Sequence, residues 1–305
     1  ASAVWGYSWG KGRSTFALRP IDLTMVNMRW IDDDFFADLP NPYLRNSYTS
    51  QLIAGLSGSY LYTNQQKNAN RGSIALRFNF ETNGNLIDGL SRLFGSKERL
   101  ADGEPYHRLF GIRYAQYFRI DANIAKKFVL APKVSIVYRF YGGWGYAYGN
   151  SEVMPYSEQF YIGGANSIRA FTIRSLGPGS YRPPTDDRNG YLDQTGDFKL
   201  EANIEYRFGI MGRLNGAVFL DAGNIWLLKK DPKRPGAELK WKGFLNDIAL
   251  GTGFGLRYDI SYLVIRADLG IGLHTPYPNP DKKGYYNISS FKDGLGFHLA
   301  IGYPF

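Results

Sequence analysis

Reactive side chains in this chain are few and scattered. It has no cysteine and three histidines, His107, His274 and His298, so disulfide frameworks and thiolate metal sites are excluded, and no histidine pair stands at metal-ligand spacing. His298 has the chemistry of a general base, but the serine that an ester-hydrolysing mechanism would place beside it is not evident, and a histidine satisfied by polar neighbours is the expectation. No glycine-rich phosphate loop opens a helix, no calcium loop is present, and Asp186-Asp187 reads as a solvated turn. Neither catalysis nor a cofactor is expected. What remains is Arg169, in the segment Tyr161-Ile-Gly-Gly-Ala-Asn-Ser-Ile-Arg-Ala-Phe171. As a solvated loop residue it would contribute little. Enclosed by protein, it would be costly unless carboxylates paired with it.

The elements that must position these residues are strands. The chain of 305 residues is 16% aromatic, with 36 glycines and 23 tyrosines, and it is poor in the residues that fill helices. Period-two alternation recurs throughout. Phe198, Leu200, Ala202, Ile204, Tyr206 and Phe208 oppose Lys199, Glu201, Asn203, Glu205 and Arg207. Leu295, Phe297, Leu299, Ile301, Tyr303 and Phe305 oppose Gly296, His298, Ala300 and Gly302. Ile74, Leu76, Phe78 and Phe80 do the same against Ser73, Ala75, Arg77, Asn79 and Glu81. Further strands are expected at 14–30, 48–64, 109–125, 133–148, 213–227, 243–259 and 261–273, with a short piece at 4–9, making about eleven in all. Two breaks, 32–39 and 86–94, read as helical loop segments.

Alternation alone fits a soluble sandwich as well as a barrel. The strands, however, run to about ten residues or more, the length that crosses a bilayer at a tilt. Aromatic residues also crowd strand ends, as in Tyr141, Trp144, Tyr146 and Tyr148, where a barrel carries its interfacial girdle. Connections alternate between short and long, as expected for periplasmic turns and external loops; the longest is 151–196, and a loop of that length is usually functional or disordered. The fold expected is all-β, a transmembrane antiparallel β-barrel. No stretch approaches the roughly 18 to 20 apolar residues of a membrane-spanning helix, and the start, Ala1-Ser-Ala-Val, lacks the features of a signal peptide. The net charge of +9 is spread along the chain, dense only at Lys229-Lys230 and Lys233-Arg234, without a basic helix for a nucleic-acid groove. Nucleic acid is not an expected partner.

The Gly-Gly followed by Ser-Ile-Arg-Ala-Phe resembles the Val/Ile-Arg-Gly-Phe/Tyr hairpin of the BamA, TamA and two-partner-secretion transporter superfamily, whose sixth external loop folds into the barrel lumen. Glu201-Ala-Asn-Ile-Glu-Tyr-Arg-Phe208, Val218-Phe-Leu-Asp-Ala-Gly-Asn-Ile-Trp226 and Ile301-Gly-Tyr-Pro-Phe305 resemble the three strands that family places after it. The match in order and spacing runs from about Met154 to the end, and the loop tip most resembles the TamA-like TamL branch.

The resemblance implies that residues 1–305 are the C-terminal part of a sixteen-stranded barrel, with 151–196 inserted into the lumen and Ile168, Arg169, Ala170 and Phe171 locking it there. Glu205 and Asp221 face inward on the two following strands and are the carboxylates available to Arg169, a pairing whose bidentate geometry would fix the loop. The family's glycine after the arginine is Ala170 here, so a conformation that only glycine tolerates is not expected at that position. Gly163 and Gly164 are expected to let the loop approach the wall, with a plain turn as the alternative. Phe297, Gly302, Tyr303 and Phe305 mark a terminal strand that closes poorly and suits a gate, because its glycines and Pro304 weaken the ladder. The implied function is assembly or translocation of β-barrel or secreted clients in a Gram-negative outer membrane. Outer-membrane lipid and lipopolysaccharide would be partners, as would a periplasmic or inner-membrane protein reached through N-terminal POTRA domains. Those domains and the first strands do not appear in the sequence, so it is expected to be part of a longer chain, and an intact mass no greater than that of these 305 residues would contradict this. A porin-type channel, and a secreted sandwich or lectin, are the competing readings.

Overall fold

The computed structural model describes residues 2–26, 50–65, 72–94, 96–99, 105–109, 111–184, 194–260, 262–282, 284–288, 290 and 292–305. The expected helix at 32–39, the Asp186-Asp187 turn and the ends of several expected strands lie outside them. The described strands belong to one 14-stranded sheet. The chain divides into two compact units, one of Ala1–Tyr62, Arg77–Ala122 and Gly143–Gln159, the other of Thr63–Leu76, Asn123–Gly142 and Phe160–Phe305. The strands β4 (Ser73–Asn83), β8 (Tyr117–Ala131) and β9 (Val134–Ala147) each have residues assigned to both ranges.

In the first unit β1 (Ser2–Lys11) and β2 (Ser14–Val26) form a hairpin whose turn is made by Gly12 at φ 64°, and β2 pairs antiparallel with β3 (Gln51–Thr63). The expected short piece at 4–9 is therefore a full strand. Helix α1 (Asn85–Phe94) has Asp88 in its first turn, where the helix dipole favours an anion. Asp88 accepts 2.7 Å from the Tyr114 hydroxyl and pairs with Arg92 at 2.9 Å. Ile87 packs with Leu109 and Tyr114. Three short strands, β5 (Ser96–Arg99), β6 (Pro105–Leu109) and β7 (Ile112–Tyr114), form a small ladder, and β7 meets β3 in parallel. These pieces raise the strand number above the eleven expected. The single strand expected over 109–125 is broken at Ala115-Gln116, where Gln116 takes a hydrogen bond role with loop residues: its N–H donates to Ser151 Oγ (2.9 Å) and its Oε1 accepts from Asn150 (2.9 Å).

In the second unit β10 (Phe198–Met211), β11 (Leu214–Trp226), β12 (Ala249–Asp259), β13 (Val264–His274) and β14 (Leu295–Ile301) pair antiparallel in chain order. β10 and β11 join through a tight turn at Gly212, and β11 to β12 and β13 to β14 through long connections. Residues directly paired across the ladders share a face. One face carries Ile204, Tyr206, Val218, Leu220, Phe254, Leu256, Ile265, Phe297 and Leu299, all exposed. The opposite face carries Glu201, Asn203, Glu205, Asp221, Arg257, Arg266 and Asp268, all buried. The polarity is the reverse of a water-soluble sheet.

Candidate functional site

The buried polar face is covered by the loop that precedes β10. Its base is closed by Phe160 and Gly196, which exchange backbone hydrogen bonds of 2.9 and 2.8 Å. From there the chain forms a compact hairpin: Gly164 N–H donates to Phe171 O (2.8 Å), Arg174 N–H to Ile162 O (2.9 Å), and Gly163 N–H to Ser167 Oγ (3.0 Å). Gly163 and Gly164 adopt φ of 94° and 91°. A Cβ on Gly163 would lie 2.1 Å from Thr172 O. These glycines therefore bring the two arms of the loop together, rather than bringing the loop to the wall. Ile168, Ala170 and Phe171 are buried with Ile162, Leu176, Ile225, Ala249 and Tyr277.

Arg169 is fully buried and sits between the two strands the sequence nominated. Its Nε and Nη2 donate to Asp221 Oδ2 and Oδ1, both at 2.9 Å, and its backbone N–H reaches Asp221 Oδ2 at 3.1 Å. Nη1 donates to Glu205 Oε2. The guanidinium lies 3.5 Å from the centroid of the Phe219 ring. Asp221 thus receives a planar fork, which Lys could not supply. Asn203 Nδ2 ties Asp221 Oδ1 (2.8 Å) to Ser167 O (3.0 Å), and Ser167 Oγ donates to Glu201.

Beyond these partners lies a group that the sequence reading did not single out. Asp268 on β13 meets Arg257 at 2.5 Å, Arg266 at 3.3 Å and Arg169 at 4.0 Å, as ion pairs rather than aligned hydrogen bonds. Arg266 also donates to Ala165 O (3.0 Å) and Asn166 Oδ1 (2.7 Å) in the loop. Arg257 and Arg207 complete Glu205 at 3.3 and 2.7 Å, and Arg139 bridges Glu201 (3.0 Å) and Asn203 (2.9 Å). Alternation put Glu201, Asn203 and Arg207 on one face with Glu205, but Asp268, Arg257, Arg266 and Arg139 stand on other strands. Which strands stand opposite the loop tip is a tertiary fact that no single strand pattern contains.

The tip itself rests on glycine. A Cβ on Gly270 would stand 2.3 Å from Arg169 O, one on Gly296 2.6 Å from the same atom, and one on Gly251 2.5 Å from the Ala170 Cβ. Gly270 and Gly296 are directly paired on β13 and β14. His298, on the same strand as Gly296, places Nε2 3.0 Å from Arg169 O. Ala170 is not among the residues with positive φ. Gly296 therefore serves as a seat for the loop, which its reading as a mere weakness in the terminal strand did not foresee.

The expected face assignment of Tyr303 and Phe305 needs correction. β14 ends at Ile301, and Gly302, at φ 84°, turns the chain. Arg207 then lies over the Tyr303 ring at 4.4 Å and over the Phe305 ring at 5.8 Å, with Arg139 and Arg169 within 5.9 Å of the Phe305 ring. The two aromatics have left the apolar row of Phe297 and join the arginines of the other face.

Outside the strands, burial raises the Asp197 carboxyl above its ordinary value, against a hydrogen bond from Leu228 N–H (3.2 Å) and the fields of Arg234 and Lys229. Burial also pushes the Tyr277 hydroxyl up to about 12, although Gln194 donates to it at 2.9 Å. Among the described residues no group of three or more His, Asp or Glu is placed to hold a metal ion.

Long antiparallel strands with one exposed apolar face, and a charged face covered by a loop, fit a transmembrane β-barrel of the outer-membrane class. Residues 15–305 match the Omp85 superfamily domain, and the chain belongs to that superfamily. It is 27% identical over 116 residues to the outer membrane protein assembly factor BamA of Neisseria meningitidis serogroup B, a match covering 36% of this chain and 14% of that protein. With BamA of Nitratidesulfovibrio vulgaris it shares 31% over 136 residues, covering 42% of this chain and 16% of that one. The matches thus span a small part of these relatives' length. The crystal structure of BamA from Haemophilus ducreyi lacking POTRA domains 1-3 has the same fold, with a TM-score of 0.54 at 16% identity over 95% of this chain and 52% of that one.

Proposed function

We propose that this domain is the membrane-embedded part of a factor that inserts or exports β-rich client proteins, with the 151–196 loop as a lumen lock and no catalytic chemistry of its own. The observation that carries this reading is the loop tip bound across the charged face: Arg169 joins Asp221 and Glu205 where an open channel would hold water. Superfamily membership and the assembly-factor relatives support it. Clients would be unfolded β-barrel or secreted chains; lipid, lipopolysaccharide and a periplasmic or inner-membrane partner complete the set. The TamA-like TamL branch is supported by the Asn-Ser-Ile-Arg-Ala-Phe tip alone. Proteoliposomes holding the full-length protein should fold an added outer-membrane β-barrel faster than empty vesicles, as read by protease protection of the client. Equal rates would refute the reading.

A passive channel is the second reading. It draws on a cavity of about 920 Å³ at the short-turn end of the second unit, lined by Lys127, Lys133, Arg207, Arg213 and Arg257 against Asp259. Such a lining would select anions, and a large steady conductance from the unaltered protein would favour it.

A further inference from the structure

The connection between β11 and β12 carries an exposed apolar group on an ordered support. Trp241 and Leu245 are 81% and 72% exposed, yet the segment beneath them is firmly held. A row of rings runs to Trp241 from the apolar face of the sheet. Phe198 pairs across the ladder with Trp226, in register with Ile204 and Leu220. The two rings lie 5.9 Å apart, Phe244 stacks on Trp226 at 4.9 Å, and Trp241 follows Phe244 at 6.2 Å. Trp226 Nε1 donates to Asp247 Oδ2 (3.2 Å), Asn224 Nδ2 to Asp247 O (2.6 Å), and His274 Nε2 lies 2.8 Å from Asn246 O. Ordering a loop so that a tryptophan and a leucine face outward costs conformational entropy and leaves apolar surface uncovered.

Charge says what covers it. Trp241 stands between Lys240 and Lys242, both exposed, and Lys240 is tied to Glu238 at 3.0 Å while keeping most of its own surface. Between Leu227 and Ile248 six basic residues stand against three acidic ones. A tryptophan exposed at the end of a row of rings that continues from the apolar face through the buried Trp226, and flanked by ammonium groups, fits the boundary where acyl chains give way to phosphate. We infer that Lys240, Trp241, Lys242 and Leu245 form a binding site for a phosphate-bearing lipid of the outer leaflet, the ring and leucine meeting acyl chains and the lysines the phosphates. This rests on the reading of the long connections as external.

The test uses the full-length protein in phosphatidylcholine vesicles titrated with bis-phosphorylated lipid A, with bound lipid counted after re-isolation. The K240Q/K242Q variant, which keeps the ring, should bind lipid A on the order of tenfold more weakly. W241S should lose affinity for it as well. Inorganic phosphate at millimolar concentration should not compete. Unchanged binding in both variants overturns the proposal, and full competition by phosphate overturns the commitment to a lipid. Retained heat-modifiable migration shows that each variant is folded, and W241L, smaller than the native ring but apolar, replaces W241S should that variant not fold. Labelling of Lys242→Cys on intact cells reports separately on external placement, and client folding in proteoliposomes on the assembly reading.

Discussion

Arg169 illustrates how a buried ion pair acts through the penalty of breaking it. Its guanidinium is out of water, and so are Asp221, Glu205 and Asp268. Removing one member leaves the others uncompensated, which costs about 3–5 kcal/mol in buried pairs. Arg169→Ala and Asp221→Ala should each lower the unfolding free energy, read from urea titration in detergent, by that order, and the double variant should lose less than the sum, because once one partner is gone the other contributes little. Additive losses would show that Arg169 and Asp221 act separately. Asp197 behaves in the opposite sense. Its carboxyl is held above the ordinary value by burial, so the folded state binds more protons than the unfolded one above pH ~4. Its contribution is therefore favourable at low pH and is lost as pH rises through the folded value. Asp197→Asn, which keeps an acceptor for Leu228 N–H, should flatten the difference in stability between acid and neutral pH relative to the unaltered protein; an identical pH profile would refute the assignment. At this scale the sequence exposed much of the site: the parity of Glu205 and Asp221 and the resemblance at 161–171 nominated the partners of Arg169. Asp268, Arg257 and Arg266 escaped, because a strand pattern names a face but not what lies across from it.

The elements place the lock by subtraction of side chains as much as by charge. Gly270 and Gly296, paired across β13 and β14, leave room for the backbone of Arg169 and Ala170, and Gly251 leaves room for the Ala170 methyl. Any Cβ at Gly270 meets backbone, which cannot rotate away. Gly270→Val should therefore displace the loop while leaving the antiparallel ladder intact: limited proteolysis should cut within 160–176, and the far-ultraviolet signal of the sheet should persist. Gly142→Ala, whose nearest neighbour would be the Leu200 side chain at 3.7 Å, is the control that should leave the loop protected. Protection at the Gly270 variant equal to that of the control would dismiss the seat. Strand location was legible because alternation is written in single residues. The break at Ala115-Gln116 was not, since a hydrogen bond from Asn150 N–H to Gln116 and one from Gln116 N–H to Ser151 Oγ enforce it, and neither was the turn at Gly302, where a left-handed backbone overrides the alternation that continues through Tyr303 and Phe305.

For the molecule as a whole, the decisive fact is which face of the strands is covered, and here the sequence was ambiguous in principle. Ile204 and Glu205 alternate alike in a sandwich whose apolar face is inside and in a barrel whose apolar face is outside. Only the structure shows Glu205 buried under the loop and Ile204 uncovered. If the loop lies in the lumen as proposed, the barrel should conduct poorly, because the loop and its charged partners would then stand in the path of ions. Planar bilayers holding the full-length protein should show small, infrequent openings. The Arg169→Ala/Asp221→Ala variant removes both halves of the fork at once, leaving Glu205 and Asp268 to the remaining arginines, so the loop loses its central ion pair without leaving an unpaired Asp221 behind. Its openings should become larger and longer, while its apolar exterior, and with it detergent-dependent folding, stays unchanged. Large openings in the unaltered protein, with no increase in the variant, would mean that ions pass beside the seated loop. The Arg169 cluster would then stabilise the loop without closing the barrel, and the porin-type reading would take precedence over the assembly factor.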